Sequence, residues 1–324
     1  MNSEIRKLNN GLEIPLMGLG TSRMANPAEV VYYSIKSGVR LIDTAYRYKN
    51  EIEIGRGIKR ALDENICKRE DLIIIGKVWA RFREDPEKAL DESLQKLQLD
   101  YIDIYMDHWP TARDHRGKKE IDDEEPDLED KKRFKMVSVY DFWPKMEKLV
   151  EKDKQGKSKV KSLGVSNYNI QCLSNLLSFC KIKPVVNEIE YHLFYIQKNL
   201  KEFCDKVDIA VISYYPMPYG NGARIFIQKN PDNKEFDIFE NQLIKDLAKK
   251  YNKTLGQIIL NWHYCVGVIP IPGTSKINRM EENLKALDFK MKDKDIQELS
   301  NHFKQMSLKK FCGCRRFFGV NVLA

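Results

Sequence analysis

Four side chains of the kinds that carry or steady protons stand at the ends of three apolar stretches. Asp43 and Tyr48 lie in Leu41-Ile42-Asp43-Thr44-Ala45-Tyr46-Arg47-Tyr48, where two apolar residues give way at once to polar chemistry. Lys77 sits near the end of Asp71-Leu72-Ile73-Ile74-Ile75-Gly76-Lys77-Val78-Trp79, and His108 follows Tyr101-Ile102-Asp103-Ile104-Tyr105-Met106-Asp107. Each stretch reads as a buried strand that ends in a loop, and in a parallel α/β protein such loops are where ligands and catalytic groups gather. A lysine in an apolar strand is seldom buried without a partner, and Asp43 is the natural one. Their contact leaves the ammonium able to bond the tyrosine oxygen. A neighbouring positive charge stabilises phenolate, so Tyr48 is expected to give up its proton more readily than free tyrosine, whose pKa is about 10. With His108 nearby, the residues amount to a polar acid–base cluster; taken alone, a tyrosine in a loop such as Tyr48 is more often a packing or surface residue.

The elements that must bring the four together are legible in outline. From Glu51 to Leu62 the apolar residues Ile54, Ile58, Ala61 and Leu62 recur at helical spacing. Asp85-Pro86 gives a cap with proline at the first helical position, followed by the stripe Leu90, Leu94 and Leu97. Helix resumes at Ser138 with Phe142, Met146, Leu149 and Val150, and again around Leu200 to Val207. Further strands are expected at Leu16 to Thr21, Val160 to Val165, Pro184 to Ile189, Ile209 to Tyr214 and Val268 to Pro272. That makes eight strand candidates from Leu16 onward, mostly separated by helical patterns, which predicts a closed (β/α)8 TIM barrel as one domain over residues 1–324. A small β-hairpin turning at Asn10-Gly11 precedes it. An open doubly wound sheet is the alternative, but Gly18 and Gly20 are followed by Arg23 where the phosphate-binding fingerprint needs a third glycine.

Composition narrows the classes. The 324 residues are 42% hydrophobic and 31% charged, with no apolar run long enough to cross a bilayer, so no membrane role is expected. The 55 basic and 47 acidic residues give a net charge of +8, but the charges are interleaved and no basic arm with aromatic residues appears, so no nucleic-acid role is expected. Met1 to Lys7 runs into a polar turn rather than a secretory signal, and the seven cysteines lack a paired framework; reduced thiols and a cytoplasmic setting are expected. Five histidines without a ligand cluster, and Cys312-Gly313-Cys314 without a second pair, give no metal site and disfavour a metal-dependent barrel hydrolase. The polar segment Thr111 to Lys135 leaves the same strand end as His108 and is expected to be a solvated loop over that face.

The letters Asp43, Ala45, Tyr48, Asn50 and Glu51 resemble the signature of the aldo-keto reductases, and the resemblance extends across nearly the whole chain. It implies an NADP(H)-dependent reductase of aldehydes, ketones or open-chain sugars, acting as a monomer or homodimer on a small carbonyl substrate. In that reading Tyr48 donates the proton, His108 orients the carbonyl, and Lys77 with Asp43 tunes the tyrosine. Thr21 lies by the cofactor; Ser166 and Asn167 bond the nicotinamide carboxamide, together with the position held by Glu188; Tyr214 stacks on the ring. Thr274, Lys276 and Arg279 belong to the adenosine phosphate clamp, with Arg279 toward a 2'-phosphate and Asn283 toward adenine. Trp79 and Trp109 wall the substrate pocket, and the tail Phe311 to Ala324, with Phe311, Phe317 and Phe318, folds over it. Several positions depart from the pattern: Glu188 replaces glutamine, Gly273 replaces a lysine, Ser22 replaces a tryptophan, and Tyr215, Pro218 and Tyr219 replace smaller residues. Asp107 stands before His108 where an apolar residue is common and would raise the histidine's proton affinity if it pointed inward. A cofactor-binding regulatory protein on the same barrel is the competing reading.

Overall fold

The computed structural model describes residues 4–112, 137–218 and 237–304. Two short strands, β1 (Ile5–Lys7) and β2 (Glu13–Pro15), pair antiparallel through the expected turn, with Arg6 opposite Ile14. Eight parallel strands follow: β3 (Leu19–Gly20), β4 (Leu41–Asp43), β5 (Ile73–Val78), β6 (Ile102–Asp107), β7 (Val160–Ser166), β8 (Val186–Glu190), β9 (Ala210–Tyr214) and β10 (Val268–Pro270). They neighbour one another in chain order. The ends of the sheet meet where the Gly18 N–H donates to the Pro270 carbonyl at 3.1 Å and the Gly20 N–H to that of Pro272 at 3.3 Å, closing the barrel. Gly20 is required at this seam, because a Cβ there would fall 2.7 Å from the Ile271 carbonyl oxygen.

Strand parity divides the apolar side chains into two cores. Leu41, Ile73, Ile75, Ile104, Met106, Val186 and Ile212 point into the barrel, while Ile42, Ile74, Tyr105 and Val165 pack outward among the helices. The hairpin plugs the end where the strands begin. Leu8 and Ile14 join the interior core, and Asn9 Nδ2 donates to the carbonyls of Pro184 and Asp208, each ahead of a strand. Only the opposite mouth, at the carboxyl ends, is left for chemistry.

The helices begin where the sequence says they should. Asp85 caps Pro86–Leu97 by accepting from the Lys88 N–H, and Ser138 caps Val139–Lys148 from the Asp141 N–H. Glu51–Asp63 buries Ile54, Ile58 and Ala61. The five cysteines among the described residues, Cys67, Cys172, Cys180, Cys204 and Cys265, are free thiols. No helix among the described residues is long and apolar enough to cross a membrane. Most of the Thr111 to Lys135 segment, the Tyr219 position, Cys312, Cys314 and the Phe311 to Ala324 tail lie outside the described residues.

Candidate active site

The site follows from parity. Leu41 faces inward, so Asp43 does; Ile73 and Ile75 place Lys77 inward; Ile104 and Met106 place His108 inward at the first residue past β6; Val186 places Glu188 inward. All converge on the mouth formed by the carboxyl ends of the strands. Tyr48 reaches the same place from a tight turn, Tyr46–Tyr48, that continues from β4.

Lys77 is the centre of the cluster. Its buried ammonium pairs with Asp43 Oδ1, donates to the Thr44 carbonyl at 3.2 Å and lies 3.3 Å from the Tyr48 hydroxyl and 3.3 Å from Glu188 Oε1. Burial works against its charge, but the carboxyl groups facing it, Asp43 first and Glu188 second, outweigh burial and hold it firmly ammonium. The Glu188 carboxyl is pushed up to about 8, first by burial and then by the charge of Asp43. The Asp43 carboxyl is also raised by burial, against the pull of Lys77.

The Tyr48 phenol departs from the sequence expectation. Burial holds it above the usual tyrosine range, and the help from Lys77 is offset by Asp43 and Glu188. One ammonium facing two carboxyl groups does not make an acidic phenol. It leaves one that stays protonated throughout the physiological range.

His108 packs edge-on to Tyr48 and Trp79, with ring centroids 5.8 and 5.4 Å away, and stacks on Trp109 at 6.4 Å. Burial, with Lys77 and Arg47 nearby, keeps its imidazole well below the ordinary range and so neutral. Its Nδ1 is buried without a hydrogen-bond partner among the described residues. Trp79 and Trp109 are both buried beside it. Asp107 does not point inward. One residue along the strand reverses the face, so its carboxylate turns to Arg83 Nη1 at 2.9 Å and accepts from the Tyr168 hydroxyl at 2.7 Å. The condition for a raised histidine proton affinity is thus not met, and burial lowers it instead.

A second polar string runs beside the cluster. Ser166 Oγ donates to the Glu188 carbonyl at 2.9 Å; Asn167 Nδ2 donates to the His108 carbonyl at 3.0 Å; the Tyr214 hydroxyl donates to Asn167 Oδ1 at 2.7 Å. Asn167 holds a left-handed φ of 63°, a conformation in which asparagine is enriched. Thr21 is fully buried and spends its hydroxyl on the Asp43 carbonyl at 2.7 Å, so it ties β3 to β4. Ser22 is exposed.

Beyond β10, Thr274 accepts from the Lys276 N–H at 3.1 Å ahead of the helix Ile277–Leu284. Lys276 and Arg279 are exposed there, whereas Asn283 is buried with its Nδ2 unpartnered among the described residues. Sequence reasoning missed Arg83, Tyr168 and Arg47. The one signal was Asp107 itself: an acid in a buried strand demands a cation, but nothing in the sequence says that the cation is Arg83.

The profile of the Aldo/keto reductase family matches residues 16–304. Over 316 residues the chain is 34% identical to "Aldose reductase B" of Dictyostelium discoideum, covering 94% of this chain and 96% of that protein. It is 36% identical over 306 residues to the "NADPH-dependent D-xylose reductase" of Meyerozyma guilliermondii, covering 90% and 92%. The Bombyx mori aldo-keto reductase solved in complex with NADP superposes with a TM-score of 0.78 at 28% identity, over 94% of this chain and 93% of that one.

Proposed function

The chain belongs to the aldo/keto reductase family, and from that premise we propose that it is an NADP(H)-dependent reductase of small aldehydes, ketones and open-chain sugars, with Tyr48 as the proton donor. The observation that carries the reading is the Tyr48 hydroxyl 3.3 Å from a Lys77 ammonium locked on Asp43, with a neutral His108 ring beside it.

The residues at the mouth fit a nicotinamide dinucleotide. At one end, Ser166, Asn167 and the half-buried Tyr214 form a polar and aromatic wall; at the other, Asn283, its Nδ2 without a partner among the described residues, shares the helix Ile277–Leu284 and its approach with the cations Arg279 and Lys276. These residues would hold the cofactor, and Arg279 would meet a 2'-phosphate. The relative named as NADPH-dependent and the neighbour solved with NADP support that choice. When bound, the reduced nicotinamide supplies a hydride to the carbonyl carbon.

The chain's own groups do the rest. The neutral His108 ring offers an N–H to the carbonyl oxygen and fixes its direction. The Tyr48 phenol is a weak acid, but a developing alkoxide is a stronger base than phenolate, so the proton passes to the alkoxide. The Lys77 ammonium then steadies the phenolate left behind. Trp79 and Trp109 keep water from the reacting atoms.

The test is the loss of NADPH absorbance with an activated aromatic aldehyde, run beside NADH and a Tyr48→Phe variant. Turnover that Tyr48→Phe abolishes while cofactor binding persists is expected. Full turnover in Tyr48→Phe would overturn the donor assignment. The buried carboxyl of Glu188, standing where the family pattern has glutamine, favours one competitor, a cofactor-binding regulatory protein; folded protein that binds NADPH yet reduces nothing would establish it instead.

A further inference from the structure

Two carboxyl groups share one ammonium at this mouth. Asp43 makes the close pair with Lys77, Glu188 Oε1 lies 3.3 Å from the same nitrogen, and both acids are buried. Glu188 Oε2 is buried and accepts no hydrogen bond from any described residue. Two carboxylates against one ammonium would leave net negative charge in a dry site, so one acid keeps its proton. Asp43 holds the tighter contact with the cation, and the proton therefore resides on Glu188, where it is donated toward Asp43.

The groups facing Glu188 all belong to this mouth. β4 and its loop present Asp43 and Tyr48, and β5 presents Lys77; His108, at the end of β6, packs on Tyr48. The flanking strands β7 and β9 bring Ser166, uncharged, and Tyr214. On β8 itself, Glu190 is turned to His192 at 3.1 Å.

We propose that Glu188 is a positioning residue of the reductase site: protonated, it leaves the Lys77 ammonium to Asp43 and Tyr48, and ionised, it draws that ammonium from the tyrosine and halts proton donation. The idea rests on the reading of Tyr48 as donor. Loss of the Glu188 proton to solvent adds one negative charge beside the phenol, which makes Tyr48 a poorer acid and the developing alkoxide less stable.

The experiment is the pH dependence of kcat and kcat/KM for aldehyde reduction, from about pH 6 to about pH 10, in the parent and in Glu188→Gln. The parent is expected to lose activity above about 8, falling about tenfold per pH unit. Glu188→Gln should carry its activity at least about one unit further. An identical alkaline limb in the two proteins overturns the proposal. If Glu188→Gln does not fold, Glu188→Asp serves, because the shorter acid withdraws its charge from Lys77; an unmoved limb there is equally fatal.

A readout without cofactor separates this proposal from the donor assignment. Infrared difference spectra should show a protonated carboxyl lost near about 8 in the parent and missing from Glu188→Gln, apart from that of Glu51 near about 7. Absence of that band in the parent overturns the protonated state. Its presence together with full turnover by Tyr48→Phe would instead sink the donor reading, and the role given to Glu188 with it.

Discussion

Arg83 shows what a single buried cation does behind the site. Its guanidinium holds Asp107 at 2.9 Å and the Trp109 carbonyl at 3.1 Å, so it braces the strand end that carries His108. Removing one partner of a buried ion pair leaves an uncompensated charge and costs about 3–5 kcal/mol. Arg83→Met is expected to lose about that much in urea unfolding at neutral pH. The loss should shrink on acidification. Burial pushes the Asp107 carboxyl up to about 6 even with Arg83 present, and a raised carboxyl favours the folded state while protonated and loses that benefit as pH rises. A deficit that stays constant between acid and neutral pH would mean that Arg83 contributes packing alone. The residue types of this pair were visible in the sequence, but their partnership was not. Both faces of a parallel barrel strand are apolar, so periodicity does not say which way Asp107 turns, and only the positions of neighbouring strands and turns bring it to Arg83. The same applies to Glu188 and Lys77, which are far apart in the chain and meet only because β5 and β8 face one mouth.

At the scale of elements, most of the barrel could be read from the chain. Eight apolar stretches with capped helices between them are strong signals, and Asp85, Ser138 and Thr254 cap as their types demand. The strand limits differ from the apolar stretches; Leu16 to Thr21 shrinks to Leu19–Gly20 because the seam is held by isolated hydrogen bonds rather than a continuous ladder. Close helix packing could not be read at all. Gly55 lies in the helix Glu51–Asp63, where a Cβ would fall 2.5 Å from the carbonyl oxygen of Leu97, at the end of the neighbouring helix. Alanine is the better helix former by about 1 kcal/mol, yet the backbone cannot yield cheaply here. Gly55→Ala is expected to destabilise by about 1–3 kcal/mol and to slow reduction, since this helix starts directly after the loop that carries Tyr48. Gly256, in the helix Leu255–Cys265, is the control: its nearest neighbour would be 3.7 Å from the new Cβ. Gly256→Ala should gain about 0.4–1 kcal/mol. Thermal melts of the two variants side by side decide the matter, and a stabilised Gly55→Ala would refute the close-packing argument.

For the whole molecule, the buried titratable groups of the site and its surroundings set how stability responds to pH. Burial pushes Glu51 up to about 7 and Glu188 up to about 8, so the folded protein keeps protons there that the unfolded chain releases near about 4.3. Their contribution is complete at acid pH and is lost as pH rises through those values. His108 is held well below its ordinary range and His263 down to about 4, both by burial, so these oppose folding as pH falls below about 6.5. On the acid side the two sets work against each other. Above about 7.5 the histidines are neutral in both states; the carboxyls still titrate, and the thiols that burial raises, Cys204 foremost, add a loss in the same direction toward about pH 8.5. The thermal midpoint of the cofactor-free protein is therefore expected to fall steadily from about pH 7.5 to about pH 8.5. Glu188→Gln should remove much of that fall and leave the part belonging to Glu51 and the thiols. A midpoint that stays level over this range would show that Glu188 and Glu51 are already ionised in the folded barrel. It would also remove the charge argument that keeps a proton on Glu188, because the cluster would then tolerate both carboxylates around the single ammonium of Lys77.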